Sequence, residues 1–416
     1  MNNAHKNIDW SLILLTFTLF CIGWINIYST TSESYNEFSF NFNSNYGKQL
    51  IWIGSAVILA LFTMVINYRF FASFAAPIYI LFILMLLTVV FIGETTKGAT
   101  SWFGIGSIGV QPSEFAKYAA CLLLARYVAD KDCDLTKTKH LFTALLIIII
   151  PIILILLQND TGSALPFLFL IFALFREGLK SWIIISGFSA IFLFVLLIFL
   201  NQWIVVGIVS AILLIMLWLL RKHKRSYLGV FIIYTCVIIY IFSIETVYNR
   251  VLKDYQRARI ETLFGKIEDA KGIDYNVIQS KIAIGSGGFL GKGFKNGTQT
   301  TLNFVPEQST DFIFCTIGEE WGFVGSIFVL LLYALLICRL ILRAEQQREA
   351  FVRIYGYCIA CIFFAHFTIN IGMTIGLMPV IGIPLPFLSY GGSSLLAYTL
   401  MVFTFLNLDA KTNHWT

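Results

Sequence analysis

Charge is what this chain has least of. Only 12% of its 416 residues are Asp, Glu, Lys or Arg, while 58% are hydrophobic, and the mean hydropathy is +0.80. Such a mix cannot cover a globular surface in water, and a lipid solvent accounts for it. The sequence has no low-complexity tract, short-period repeat or soluble domain. No stretch resembles a nucleic-acid module, so nucleic acid is not expected as a partner. Cysteine is missing from the one long polar stretch, roughly Tyr248 to Asp311, so no disulfide framework holds it. Seven of the eight cysteines lie in apolar segments and Cys133 lies in a short basic loop. Cys358 and Cys361, a C-x-x-C pair inside an apolar run, read as packing rather than redox chemistry.

What the chain has instead is apolar runs, repeatedly reaching about 18 to 22 residues, the length that crosses a hydrocarbon core of roughly 30 Å as helix. Twelve occur, near 10–29, 49–66, 72–92, 113–128, 140–157, 162–176, 181–200, 203–220, 228–247, 312–339, 352–377 and 387–407. The expected fold is an all-α polytopic membrane protein of about twelve transmembrane helices, one integral membrane domain over 1–416. The first run is long and lacks a small-residue cleavage site, so it reads as a retained span. With the N-terminus cytoplasmic, the inside loops collect Arg69, Lys131, Lys137, Lys139, Arg176, Lys180, the cluster Arg221–Arg225, and Arg339, Arg343, Arg348 and Arg353. The short outside loops hold little more than Lys48 and Lys97, which puts both termini inside and the loop 248–311 outside. That loop is itself basic, but at about 60 residues it reaches the length where the rule stops applying. The net charge of +6 suits anionic membrane lipids.

An ionisable side chain facing hydrocarbon costs at least about 2.5 to 3.5 kcal/mol, so each one is a functional candidate. Glu114 and Lys117 share a helical face after Gln111-Pro112-Ser113, as a charge pair that anchors the helix end or as a site for a lipid headgroup or pyrophosphate. Asp160, in Gln158-Asn159-Asp160-Thr161, is placed to cap the sixth span. His366 and Asn370 lie four apart in the eleventh, a spacing that favours interhelical hydrogen bonding over catalysis. In the loop, Gly285 to Gly293 fits neither nucleotide pattern, because Ser286 stands at the first Walker glycine and Gly293 replaces the Ser/Thr. Two readings stay open there, turns needing positive φ or backbone amides near a phosphate.

Pro306 to Asp311 leads directly into an apolar run, so Asp311 sits at the outer membrane boundary, as a helix cap together with Thr310 or as a general base. Glu319 and Glu320 follow, one of them expected to be buried and paired. Pro379, Gly382, Pro384 and Pro386 form a stiff outer segment before the small residues Ser389 to Ser394.

These stretches, in order, resemble the SEDS family (shape, elongation, division and sporulation). The matching residues are Gly98-Ala99 with Trp102, Gln111-Pro-Ser-Glu114 with Lys117, Asp160 to Ala164, and Tyr275-Asn276 with Gln279-Ser280. They continue through Gly285 to Gly293, Gly297-Thr-Gln299, Pro306-Glu307 with Thr310 to Phe314, Gly318 to Gly322, and Pro379 to Ser394. Gly-Thr-Gln before Pro-Glu favours the elongation branch over the division branch. The resemblance implies an inverting peptidoglycan glycosyltransferase of the bacterial plasma membrane, polymerising lipid II and paired with a class B penicillin-binding protein. It implies that Asp311 deprotonates the acceptor. Glu114, Lys117, Trp102, Asp160, Gln299, Glu307, Asn370, Ser389 and Tyr390 are the substrate-binding candidates.

The pyrophosphate leaving group needs positive charge from loop Arg or Lys, Lys117, or a divalent cation, magnesium or manganese. Two features depart from the family. Ser101 stands where Arg commonly precedes the tryptophan, and the runs 203–220 and 228–247 add a pair to the usual ten spans while keeping the loop outside. The rival expectation is a lipid-linked precursor transporter, which should hold its essential charges near the midplane, whereas Asp311 lies at the outer edge.

Overall fold

The computed structural model describes residues 8–31, 42–96, 98–105, 108–220, 227–250, 257, 261 and 275–411. The basic cluster Arg221–Arg225, together with Lys97, Lys253, Arg259, Lys266 and Lys271, lies outside the described residues. The chain divides into two compact units, 1–179 with 275–416, and 180–274.

Every one of the twelve apolar runs is helical, but only ten helices among the described residues are long and apolar enough to span a membrane. The two that fall short have separate causes. Pro112–Val128 is only 17 residues long and carries Glu114, Lys117 and Arg126. The 162–176 run breaks at Phe169, whose N–H bonds to the Pro166 carbonyl (3.2 Å), three residues back rather than four. The 312–339 run also divides, into Ile313–Glu320 and the span Gly322–Glu345. Gly322, at φ +66°, makes that break.

Helix starts follow ordinary capping chemistry. Ser44, Asn67, Asp160 and Asn201 each accept a backbone N–H in the first turn of the helix they precede, and Pro112 opens its helix where no donor is needed. Thr310 and Asp311 do not cap. The helix after them starts at Ile313, with Phe312 in the cap position and no side-chain cap bond.

Among the described residues the fold is helical except for one three-stranded antiparallel sheet, Glu94–Thr96, Ala99–Ile105 and Ile108–Val110, absent from the sequence expectation. Its first turn passes through Gly98 at φ +85°. Thr100 N–H bonds to the Gln158 carbonyl (3.0 Å), and Ser393 Oγ bridges Gly109 O and Gln111 N (3.2 and 3.1 Å). The sheet is thereby tied to the start of the last helix, Gly392–Lys411.

In the first unit, burial deepens towards the C-terminal helices. Seventy-two per cent of the apolar window of Ala350–Thr374 and 78% of that of Gly392–Lys411 are buried inside the protein. At the end that carries the basic inside loops, Arg343 reaches both Asp409 (2.6 Å) on the last helix and Asp9 (3.4 Å) before the first. Arg339 also holds Asp9 (2.7 Å), and Gln347 donates to Asp409.

The second unit contains Ser181–Phe199, Gln202–Leu219 and Tyr227–Arg250. Only 6% of each of their apolar windows is buried, as suits helices facing lipid. Tyr240 OH bonds to the Ala190 carbonyl (2.9 Å), and the Ser210 and Tyr234 hydroxyls pair (2.9 Å).

Candidate active site

The glycine-rich stretch is a set of turns. Gly288, Gly291 and Gly293 have φ of +59°, +81° and +94°, conformations a side chain would strain. Its amides point at protein: Lys292 N–H and Gly293 N–H bond to the carbonyls of Glu319 (3.0 Å) and Glu320 (2.9 Å), and Phe323 N–H returns to Gly288 O (2.9 Å). A side chain on Gly322 would strike the Gly291 backbone, so the loop and the helix break lie back to back. Of the two readings, the turn is the one found.

The anion beside this loop is the chain's own. Glu319, fully buried, accepts from Lys292 Nζ (2.7 Å), from the amides of Gln299 and Thr300 (both 2.9 Å) and from Thr298 Oγ1 (3.2 Å). Burial opposes its ionisation, but the bonds from Lys292 and the two amides outweigh it and hold its pKa below the usual carboxylate range. Glu320 is buried too and accepts from the Ser29 hydroxyl. Both acids are therefore buried, where one was expected. Glu319→Gln is expected to lose about 1.5 to 3 kcal/mol through its charge-assisted bonds. The check is a lower thermal midpoint in detergent together with faster proteolysis between Gly285 and Val305.

Asp311 lies in the turn just before Ile313–Glu320, partly exposed. The turn is drawn together at Glu307, φ +57°, whose carbonyl accepts from Thr310 N–H and Phe312 N–H (both 3.1 Å) and whose carboxylate accepts from Thr310 Oγ1 (2.9 Å). Below it, Phe312 and Cys315 pack with Ala283 and Val305 in a small apolar core. Gln308 joins this turn to the Gln299 region by donating to Thr300 O (2.8 Å) and Asn303 Oδ1 (2.7 Å).

Opposite stands the proline segment 379–390. Asn370 Nδ2 donates to Asp311 O (2.8 Å) and Ile383 O (2.6 Å). Ser389 Oγ donates to Thr310 O (2.6 Å) and accepts from Leu385 N–H (2.9 Å), while Tyr390 N–H bonds to Ser309 O (2.9 Å). The polar groups of Asn370 and Ser389 thus face protein, and burial raises the Tyr390 phenol above its usual range. Gly382, at φ +79°, leaves room for the Asp311 carboxylate: a Cβ there would sit 3.1 Å from Oδ2. One residue earlier, the Ile381 carbonyl meets Gly162, where a Cβ would lie 2.8 Å away.

Gly162 follows Asp160, which caps its helix as expected by accepting from Ser163 N–H (3.0 Å). Asp160 also accepts from Ser163 Oγ (2.8 Å) and Gln111 Nε2 (3.0 Å). Gly162, two residues after Asp160, and Asp311 therefore border the same short segment, 381–382. Trp102 belongs to the sheet, its ring lying over Gly109, and Ser101 beside it is buried.

Glu114 and Lys117 are set apart from this surface. Lys117, with no exposed area, donates to Glu114 Oε1 (2.8 Å) and His366 Nε2 (2.8 Å). An ammonium has no lone pair to offer, so Nε2 is the acceptor and Nδ1 carries the proton, donating to the Pro384 carbonyl (3.0 Å). The pair reaches the proline segment through His366 and touches Asp160 only by way of Gln111. Gln111, Gly382 and Ser393 are working residues to which sequence reasoning gave no site role of their own. For Gln111 there was a signal, because Gln is a poor helix cap standing where Ser, Thr, Asp or Asn is usual.

A family model described as cell cycle protein, covering FtsW, RodA and SpoVE, matches residues 9–205 and 176–414. The peptidoglycan glycosyltransferase RodA of Treponema pallidum (strain Nichols) is 33% identical over 96% of both chains. The peptidoglycan glycosyltransferase MrdB of Escherichia coli (strain K12) is 35% identical over 79% of this chain and 75% of its own. A chain solved within a peptidoglycan synthase complex matches over 97% of each chain, with a TM-score of 0.69 and 26% identity. The crystal structure of Thermus thermophilus rod shape determining protein RodA shares the fold, with a TM-score of 0.62 at 23% identity, over 97% of this chain and 96% of its own.

Proposed function

The chain belongs to the FtsW, RodA and SpoVE family of cell cycle proteins, and from that premise we propose how its residues perform the family's reaction. It is a multi-pass peptidoglycan glycosyltransferase of the bacterial inner membrane, serving cell elongation. Its substrate is lipid II and its base is Asp311. The observation that carries this reading is the carboxylate of Asp311 set against Gly382, at the outer end of the bundle, where no side chain stands between them.

The Asp311 carboxylate takes the proton of the acceptor sugar's 4-hydroxyl as that oxygen attacks the anomeric carbon of the donor. The bond from that carbon to the pyrophosphate oxygen breaks, and undecaprenyl pyrophosphate leaves with its electron pair. One displacement turns an α linkage into a β linkage, so a single base suffices. The leaving group calls for positive charge. The ammonium of Lys117 is closed off with Glu114, and that of Lys292 is engaged by Glu319. Lys281 is exposed on Tyr275–Ser286, and its Nζ comes within 3.4 Å of where a Cβ on Gly376 would lie, three residues before the proline segment. This supports Lys281 as the cation that meets the pyrophosphate. Among the described residues no three His, Cys, Asp or Glu side chains group as a metal cage would need. Magnesium or manganese, held by one or two carboxylates together with the pyrophosphate oxygens, would be the other source of that charge.

The likeness to a chain of a peptidoglycan synthase complex supports work beside a class B penicillin-binding protein that cross-links the strands. The test is reconstitution of the purified protein with labelled lipid II and that partner in vesicles. Glycan strands are expected. Movement of lipid II across the bilayer without strands would overturn the reading in favour of a transporter.

A further inference from the structure

We infer that Ser389 and Asn370 are positioning residues that set the direction of the Asp311 side chain, and that neither touches substrate. The inference rests on Asp311 being the base. Three consecutive carbonyls, of Ser309, Thr310 and Asp311, are each held from the far side of the chain, by Tyr390 N–H, Ser389 Oγ and Asn370 Nδ2. A peptide unit is planar, so a bond to its carbonyl restrains the whole plane. The planes on either side of the Asp311 Cα are the ones held by Ser389 and Asn370. With both held, φ and ψ at Asp311 are restrained and its Cα–Cβ bond is directed so that the carboxylate reaches the gap over Gly382.

The holders are themselves held. Asn370 has no exposed area and Ser389 only 3%. Asn370 also grips Ile383, His366 one turn earlier grips Pro384, and Ser389 accepts from Leu385. The buried Glu114–Lys117 pair fixes His366 in turn, so the intramembrane charges brace the segment that aims the base. Locally the turn is closed at Glu307, by its carbonyl and by its carboxylate on Thr310, while the carbonyls beside Asp311 are taken by these distant donors.

Ser389→Ala removes the hydroxyl, and Ser389→Thr keeps it. In vesicles with labelled lipid II, Ser389→Ala is expected to lower kcat about tenfold or more, with KM within about twofold, and Ser389→Thr to restore most of the rate. Amide exchange over 306–312 is expected to quicken about tenfold in the alanine variant. In the unaltered protein the Tyr390 amide is expected to be protected, a measurement that stands even where the alanine variant does not fold. Raised KM at unchanged kcat, or a Tyr390 amide that exchanges freely, would overturn the inference. Strand synthesis by Asp311→Asn at the unaltered rate would instead overturn the base and leave the exchange results standing.

Discussion

Asp311→Asn is expected to stop strand synthesis, by a factor on the order of 100 to 10,000, the usual contribution of a positioned general base. The substitution keeps the size and shape of the side chain and removes the lone pair that accepts the proton. The bond from Asn370 is to the Asp311 main-chain carbonyl, which the variant retains. Folding should therefore survive, and the variant should elute from size exclusion and melt as the unaltered protein does. Conversion of labelled lipid II to polymer, followed on a gel, is the direct readout. Residual synthesis within about threefold of normal, far outside that range, would remove Asp311 from the role.

Lys117→Met is expected to act on the fold before it acts on the reaction. The ammonium has no exposed area and stands between Glu114 and His366. Removing it leaves a carboxylate buried without its counter-charge, a loss of about 3 to 5 kcal/mol in such pairs. The yield of folded protein and the melting temperature should both fall sharply. The double variant Glu114→Gln with Lys117→Met removes both charges together and should recover a large part of that stability. Equal damage from the single and double variants would mean that the ion pair is not what the lysine provides.

The spans were legible because lipid demands long apolar runs whatever the tertiary contacts are, and the positive residues mark their inner ends. The spacing of Glu114 and Lys117 was legible for a similar reason, since residues three apart meet on any helix. Their third partner was not, because His366 lies 249 residues from Lys117 in the chain. The bonds that aim Asp311 join residues 59 and 79 apart, a distance over which no local pattern reports. The spacing of His366 and Asn370 favoured hydrogen bonding over catalysis, but the partners of the Asn370 amide, the carbonyls of Asp311 and Ile383, could not be read from it. The glycine-rich stretch left two readings because glycine serves both. Burial of Glu319 decides between them by supplying the anion from within. The small sheet at 94–110 was missed because its strands are short, two of them only three residues, too few for an alternating pattern to show.

Arg343, with its hold on both Asp9 and Asp409, sets an order of assembly. Asp9 is made early and Arg339 lies 330 residues after it, and Asp409 emerges a further 66 residues beyond Arg343. During synthesis into the membrane, Arg339 and Arg343 meet Asp9 first and wait for their second acid until the last helix inserts. That helix is also among the most deeply buried, so the core of the first unit is incomplete until its final segment arrives. Closing so long a loop is slow. Truncation of the last helix would leave Arg339 and Arg343 with Asp9 as the acid they share.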